Sequence, residues 1–149
     1  MDDRPAFKIR IAQPADAAEI ARLNARFNGA LEPSENYAAR LVDPHRVDTP
    51  ILAEIDGHIA GLACLRLLQP VFYPTPYAEL TELFVEEDYR RRGLARALVT
   101  RAEDLARQGG ADELIILTDF YNDAAISLYR ALGYQHHDIA LSKPLVSTG

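Results

Sequence analysis

The chain has 149 residues, of which 48% are hydrophobic and 26% are charged, and its net charge is −6. This length predicts one domain, residues 1–149, with room for a sizeable core. The negative charge argues against a general nucleic-acid-binding protein, which would present a basic surface. The sequence has no apolar stretch near the roughly 20 residues that cross a bilayer, and its N-terminus is unlike a signal peptide, so we expect no membrane association.

The single cysteine, Cys64, excludes an internal disulfide and favours a reducing compartment such as the cytoplasm. It lies in the apolar run from Ala60 to Leu68, which predicts a buried, unreactive thiol rather than a nucleophile. His136 and His137 are adjacent, and alternation along a strand would point them to opposite faces. Because no cluster of cysteines and histidines accompanies them, we expect no metal site.

The first half of the chain alternates between helical and extended patterns. Apolar residues at helical spacing follow Pro14 and Asp16, and Asn28-Gly29 ends that helix. Asp56-Gly57 has the composition of a tight hairpin turn. In chain order the patterns predict a strand at 7–11, a helix from 14 to 27, a short helix from 33 to 41, and hairpin strands at 50–55 and 58–68.

The second half alternates between strands and helices. Gly109-Gly110 and Gly133 follow helical patterns and predict where two helices end. The predicted elements are a strand at 79–86, a helix from 94 to 108, a buried strand at 114–118, a helix from 122 to 132, and a final strand at 134–145. The complete order, β-α-α-β-β-β-α-β-α-β, indicates an α/β fold with a mixed central sheet, antiparallel in its first half and joined by helical crossovers in its second.

A basic turn joins the strand at 79–86 to the next helix, and it reads Arg90-Arg91-Arg92-Gly93-Leu94-Ala95-Arg96. Backbone N–H groups at a helix start lack partners within the helix, and the helix dipole adds partial positive charge there. Because Gly93 and Ala95 lack bulk, a ligand can approach the backbone, which predicts a pyrophosphate site. The alternative is a solvated corner, since arginines at a helix N-terminus oppose the dipole and the turn matches neither a P-loop nor a dinucleotide-binding fingerprint.

A second segment decides between these interpretations. Residues Asn122 to Tyr134 have the form Asn-x-x-Ala-x-x-x-Tyr-x-x-x-Gly-aromatic, and Arg90 to Ala95 have the form Arg-x-x-Gly-x-Ala. The pair of motifs closely resembles the GNAT N-acetyltransferase superfamily, and the order of elements over nearly the whole chain is similar to that fold. The resemblance implies a GNAT-type acyl-CoA N-acyltransferase fold with helices on both faces of the sheet, acetyl-CoA as the acyl donor, and no need for a metal.

The resemblance also implies roles for individual residues. Backbone N–H groups of the turn would hold the CoA pyrophosphate, the preceding strand would pair with the pantetheine arm, and an N–H near Val85 would polarise the thioester carbonyl. Asn122 would hydrogen-bond the co-substrate, with helix capping as its structural alternative. Tyr129 would donate a proton to the departing CoA thiolate, with a place in the core as its alternative. The implied co-substrate-binding residues are Leu83, Phe84, Val85, Arg90, Arg91, Arg92, Gly93, Leu94, Ala95, Arg96, Asn122 and Tyr129.

The acceptor amine must lose a proton, and two glutamates on the strand before the turn are candidate catalytic bases. Glu79 is at the position where some relatives that act on protein lysines place a base, and Glu82 lies nearer the expected thioester. Strict alternation puts the two carboxylates on opposite faces, but a bulge, which the family often has in this strand, would change that. The alternative for each glutamate is a solvent-facing side chain or an ion pair with an arginine.

The leading functional hypothesis is direct transfer of an acetyl group, in a ternary complex, to a primary amine of a small molecule. Carboxylates and aromatic residues in the predicted acceptor segments, 27–50 and 70–77, suit an ammonium group. The alternatives are acetylation of protein lysines or N-termini, and a non-catalytic acyl-CoA-binding regulatory module. Because the final strand would lack a hairpin partner, we also expect a homodimer in which it pairs with a second subunit.

Overall fold

The structure, a computed structural model, describes residues 6–118, 122–136 and 138–147. Each element predicted before residue 132 has a counterpart, although the strand predicted at 114–118 is reduced to two residues. The strands are β1 (Phe7–Ile11), β2 (Asp48–Ile55), β3 (His58–Leu68), β4 (Tyr77–Val85) and β5 (Ile115–Ile116), and the helices are α1 (Ala17–Asn28), α2 (Ser34–Val42), α3 (Leu94–Gln108) and α4 (Asp123–Ala131). Short 3-10 turns span Pro14–Asp16 and Glu87–Tyr89.

The chain divides into two compact units, Met1–Ile116 and Leu117–Gly149. The first unit contains the sheet, in the order β1-β2-β3-β4-β5. Pairing is antiparallel from β1 to β4 and parallel between β4 and β5, so the sheet is mixed as predicted. The second unit contains α4.

Apolar side chains cover both faces of the sheet. Leu23 of α1 is completely buried, and burial of a leucine stabilises a fold by about 1.5–3 kcal/mol. On the side of α1 and α2 the cluster comprises Ala12, Ile20, Leu23, Leu52, Ile59 and Leu62, with Tyr37, Leu41 and Phe84 packed against it. On the side of α3 the cluster comprises Leu65, Ala78, Ala106 and Ala111, with Leu67, Leu105 and Leu114. The prediction of helices on both faces is therefore confirmed.

The predicted final strand at 134–145 is wrong for the residues that the structure describes. Residues 134–136 and 138–147 contain neither helix nor strand, and His137 lies outside the described residues. Ile139 and Leu141 are 87% and 92% exposed. The alternating apolar pattern indicated a chain that can be extended, but a strand also needs a neighbour to bond its backbone, and a pattern within one segment carries no information about that neighbour.

Candidate functional site

The N-terminus of α3 has the geometry of an anion site. Gly93 precedes the helix with a φ of 86°, a left-handed conformation that glycine adopts without strain. No side chain caps the first turn, and no acidic residue lies in it. A Cβ atom added to Gly93 would meet nothing within 4 Å, so the space beside the turn is open. The free N–H groups that begin α3 can therefore donate to a phosphate oxygen.

Arg90, Arg91 and Arg92 are all exposed, but they make different contacts. Arg90 Nε donates to the carbonyl of Val85 at 2.9 Å and so fastens the turn to the end of β4. The guanidinium carbon of Arg92 lies 5.4 Å from the ring centroid of Tyr89, close enough for a cation–π contact. Arg91 is exposed and makes no ion pair with the described residues. The exposed arginines can add positive charge beside the helix N-terminus.

The neighbouring edge of β4 loses its partner strand partway along. Glu79 pairs with Ile115 and Leu80 with Ile116, and the parallel ladder ends there. On this edge the described residues provide no strand for Leu83 to Val85. Of the backbone groups that point to this edge, the Val85 carbonyl accepts from Arg90. The others can pair with an extended ligand, which would add to the sheet as another strand does.

A β-bulge lies in β4 between the two candidate bases. Cys64 of β3 pairs with Glu82, whereas the next residue, Leu65, pairs with Leu80, so Thr81 is the extra residue. The Thr81 hydroxyl donates to the Cys64 carbonyl at 3.4 Å. The bulge predicted as a possibility from the family resemblance is therefore present in this strand.

The bulge places Glu79 and Glu82 on one face of the sheet. Their cross-strand partners, Arg66 and Cys64, are two residues apart on β3, and residues two apart share a face. The expectation from strict alternation, opposite faces, does not hold because Thr81 adds one residue to the count. Glu79 and Glu82 thus both face the side of α1 and α2.

Each of these carboxylates accepts a hydrogen bond from a neutral donor. Asn28 Nδ2 donates to Glu82 Oε2 at 3.3 Å, and the hydroxyl of Tyr77 donates to Glu79 Oε2 at 3.3 Å. Neither carboxylate forms an ion pair within the described part of the chain. A carboxylate outside an ion pair can accept a proton or bind an ammonium group. Arg66, the cross-strand partner of Glu79, forms its ion pair with Asp48 and is attracted by Glu79 only secondarily. Among the described residues no arginine bonds to Glu82.

Residues of α1 complete this face, and two of them, Phe27 and Asn28, lie at the start of the predicted acceptor segment 27–50. Phe27 stacks on Phe84 with ring centroids 5.1 Å apart, and Asn24 Nδ2 donates to the Tyr37 hydroxyl at 2.7 Å. The sequence predicts a helix stop at Asn28 and places it in the acceptor segment, but it does not predict that Asn28 donates to Glu82. No local pattern marks such a contact, because it joins residues 54 positions apart.

The second unit holds the other two predicted site residues. Asn122 caps α4, since its Oδ1 accepts from the backbone N–H of Ala125 at 3.3 Å. The ring of Tyr129 meets the ring of Tyr134 edge-on at 6.0 Å. Burial raises the pKa of Tyr129, so its phenol keeps its proton at neutral pH. The capping interpretation of Asn122 is confirmed, and a protonated phenol has the form that a proton donor needs.

Two other sequence predictions concern Cys64 and metals. Cys64 is a buried free cysteine, and burial raises its pKa to about 12, so it is a thiol and not a nucleophilic thiolate. Among the described residues, no group of three or more histidine, cysteine or acidic side chains is arranged to hold a metal ion. Within the same residues, every helix is too short or too polar to cross a bilayer.

Comparison with known proteins gives a consistent result. The model of the acetyltransferase (GNAT) family matches residues 16–134. The uncharacterized N-acetyltransferase YhfO of Bacillus subtilis is 30% identical over 136 residues, which cover 85% of this chain and 89% of that protein. N-acetyltransferase family 8 member 3 of Rattus norvegicus is 26% identical over 69% of this chain, and the match spans 50% of the rat protein's length.

The fold has a near match among solved structures. An aminoglycoside acetyltransferase from an uncultured soil metagenomic sample, solved in complex with trehalose, superposes with a TM-score of 0.82. The match covers 95% of this chain and 97% of that one, at 19% sequence identity. At this identity the likeness establishes the fold and leaves the acceptor open.

Proposed function

Because the chain belongs to the acetyltransferase (GNAT) family, we propose that it transfers the acetyl group of acetyl-CoA to a primary amine of a small molecule. The observation that carries the proposal is the pair of features at the end of β4. No described strand pairs with this edge of β4 after Leu80, and the uncapped N-terminus of α3 begins at Leu94. Acetyl-CoA has one part for each, since an extended pantetheine arm can pair with the edge and a pyrophosphate can accept from the helix N–H groups.

The co-substrate would be held mainly by backbone groups. Leu83, Phe84 and Val85 would pair with the pantetheine arm, and the N–H groups of the turn from Arg90 to Arg96 would bind the pyrophosphate. A backbone N–H near Val85 would stabilise the negative charge that develops on the thioester oxygen. Asn122 would add a hydrogen bond to the co-substrate.

The reaction would be a direct transfer in a ternary complex. The neutral amine attacks the thioester carbonyl, so that a C–N bond forms and the C–S bond breaks. The amine proton passes to Glu82 or Glu79, directly or through water, and Tyr129 gives a proton to the departing thiolate. An acetylated cysteine is not part of the proposal, because the Cys64 thiol is buried and protonated.

A small amine is favoured by the acceptor side of the sheet. Glu79 and Glu82 face this side and form no ion pair within the described part of the chain, so they can attract an ammonium group. Phe27 precedes Asn28, the residue that donates to Glu82, and its ring stacks on that of Phe84. These two rings can contact an alkylammonium chain. One structural neighbour is an aminoglycoside acetyltransferase, and an aminoglycoside is a small molecule that carries amino groups.

The proposal includes one domain, a cytoplasmic location and a homodimer. A single domain over residues 1–149 is supported by the family match, which runs from 16 to 134 and so spans both compact units. A reducing cytoplasm suits the free Cys64.

The exposed Leu141 and Leu145, each 92% accessible, would be covered in a dimer. Light scattering at micromolar concentration should give about twice the monomer mass of 16.6 kDa, and a monomer would refute the dimer.

The test is a thiol-release assay with acetyl-CoA and a panel of amines. The panel contains polyamines, amino acids, aminoglycosides, and peptides with free lysines or N-termini. We expect release with one class of small amine and a loss of about 100-fold in kcat for Tyr129→Phe. Tyr134→Phe, which removes another hydroxyl from the same unit, should change kcat much less.

The remaining outcomes of the assay separate the alternatives. Release only with peptides would replace the small amine with a protein acceptor. Tight binding of acetyl-CoA without release from any amine would favour a regulatory acyl-CoA-binding module. Unchanged turnover in Tyr129→Phe would remove Tyr129 from the mechanism.

A further inference from the structure

One charged side chain is buried among the described residues, and the proposed mechanism does not use it. Glu86 is 6% exposed and directly follows β4, just before the turn that begins α3. Its backbone N–H donates to the carbonyl of Ala60 at 2.8 Å, which continues the sheet pairing for one more residue. A buried carboxylate is costly to desolvate, so its partners decide what it does.

The carboxylate of Glu86 gathers three cationic or polar groups from two elements. Arg22 and Arg26, one turn apart on α1, both donate to Oε2, Arg22 at 3.2 Å. His58, at the start of β3, contacts Oε1 through Nε2 at 2.7 Å. Arg22 also donates to the carbonyl of Ile59 at 2.8 Å. Burial opposes ionisation of Glu86, but the hydrogen bonds from His58 and Arg22 outweigh it, and the pKa of Glu86 lies below its usual value.

A second set of contacts leads from this cluster to the anion-binding turn. The His58 ring stacks on the Tyr89 ring with centroids 5.1 Å apart and planes 27° apart. The Tyr89 ring in turn supports the Arg92 guanidinium, 5.4 Å from the ring centroid. The backbone N–H of Tyr89 donates to the carbonyl of Glu86 at 2.9 Å. Glu86 therefore contacts the turn both through its own backbone and through His58 and Tyr89.

We propose that Glu86 is a positioning residue for the co-substrate-binding turn. By holding His58 against Tyr89, it fixes the ring on which Arg92 lies, and so sets where Arg92 meets the phosphates of CoA. Stabilisation of the fold does not by itself explain why a carboxylate is buried at this position, because a buried ion pair often contributes little net free energy of folding. The inference rests on the proposed function, since it requires the turn to bind CoA.

The same carboxylate also reaches the acceptor side. Arg22 and Arg26 belong to α1, whose last turn supplies Phe27 and Asn28 to the face that carries Glu82. One buried anion thus fastens the helix beside the acceptor and the turn that binds the donor. We expect the loss of this charge to weaken acetyl-CoA binding more than it lowers kcat.

The test measures CoA binding by calorimetry and acetyl-CoA kinetics for Glu86→Gln. Glutamine keeps the size of the side chain and removes the charge. We expect the Kd for CoA and the KM for acetyl-CoA to rise about tenfold, the scale of a hydrogen bond to a charged group, with kcat little changed. Glu54→Gln is the matched control, because Glu54 pairs with Arg10 on β1 at 2.9 Å and has no contact with the turn.

Two further variants test the route through Arg92. His58→Ala removes the contact to Glu86 and the stacking on Tyr89 at a side chain that is 41% exposed, so the fold should tolerate it. It should weaken CoA binding to a similar degree. In an Arg92→Ala background, Glu86→Gln should have little additional effect, because the group that it positions is already absent.

Each outcome has a defined meaning. A wild-type protein that does not bind CoA would overturn the proposed function and this inference with it. Wild-type binding with Glu86→Gln within about twofold of it would overturn the inference alone, since the predicted change is about tenfold. An equal loss in Glu54→Gln, or full additivity with Arg92→Ala, would mean that Glu86 acts through general stability and would also overturn it.

Discussion

Glu79 and Glu82 share a face of the sheet but lie on different sides of the point where β4 loses its neighbour. Glu79 is paired with Ile115, whereas Glu82 lies beyond the last pair, Leu80 with Ile116. The thioester arm is proposed to pair with the edge beyond that point. Glu82 is then nearer the reacting carbonyl, and we expect it to take the amine proton.

This assignment predicts different results for two otherwise equivalent variants. Glu82→Gln should lower kcat/KM for the acceptor about 100-fold, because general-base catalysis typically contributes 100-fold or more. Its affinity for CoA should stay close to that of the wild type, since the co-substrate is held by backbone groups. Steady-state thiol release and calorimetry measure the two quantities.

Glu79→Gln is the control for Glu82→Gln. It also removes one negative charge from this face of the sheet, and the new neutral amide can still bond to the Tyr77 hydroxyl. A smaller loss than in Glu82→Gln supports Glu82 as the base. The reverse order would assign the base to Glu79, and no loss in either variant would exclude both.

At the scale of elements, the two motifs act at the N-termini of two helices. Gly93 leaves the start of α3 uncapped, whereas Asn122 caps the start of α4 with its side chain. An open helix N-terminus suits a ligand, and a capped one suits stability. Asn122 can serve both purposes, because its Oδ1 accepts from Ala125 while its amide nitrogen remains a donor.

Two substitutions separate these purposes. Asn122→Ala removes the cap and should lower the free energy of unfolding by about 1 kcal/mol. Asn122→Ser keeps an oxygen for the cap but loses the amide donor, so it should retain stability and still weaken acetyl-CoA binding. Urea denaturation and calorimetry give the two values. If Asn122→Ser binds acetyl-CoA as the wild type does, Asn122 is a cap and nothing more.

The strands also show what a sequence can and cannot predict. Some signals are local, namely the Asp56-Gly57 turn, the glycines that end helices and the two motifs. The helices and strands next to these signals begin and end within a few residues of the predicted positions. The sequence does not decide whether β4 has a bulge at Thr81, because a bulge depends on how β4 pairs with β3. The contact of Asn28 with Glu82 and the cluster around Glu86 were not predicted, since they join distant parts of the chain.

At the scale of the whole molecule, charged contacts make stability depend on pH. Arg10 binds Asp16 through two hydrogen bonds of 2.8 Å each and also reaches Glu54, so it links β1 to the turn before α1 and to β2. The hydrogen bonds from Arg10 hold the pKa of Asp16 below its usual value, although burial opposes this. Asp16 therefore stabilises the fold above its unfolded pKa of about 3.9, and this contribution is lost as the pH falls through the folded pKa.

Asp16→Asn should expose this pH dependence. At neutral pH the variant should be less stable by about 1–3 kcal/mol, the range for hydrogen bonds to a charged group. The difference from the wild type should begin to shrink below about pH 4, the unfolded pKa of an aspartate, and should be lost below the lower folded pKa. Urea denaturation between neutral and acid pH measures it. A difference that stays constant over this range would mean that the charge of Asp16 contributes nothing.

The central claim is that the edge of β4 and the turn after it bind acetyl-CoA, and hydrogen exchange with and without CoA tests it directly. Binding should slow the exchange of backbone amides within 83–85 and 93–96, because the N–H groups of these segments that face the ligand would donate to the pantetheine arm and the pyrophosphate. Amides of β1 and β2 should exchange as before. CoA binding without protection of these segments, or no binding at millimolar CoA, would contradict the account.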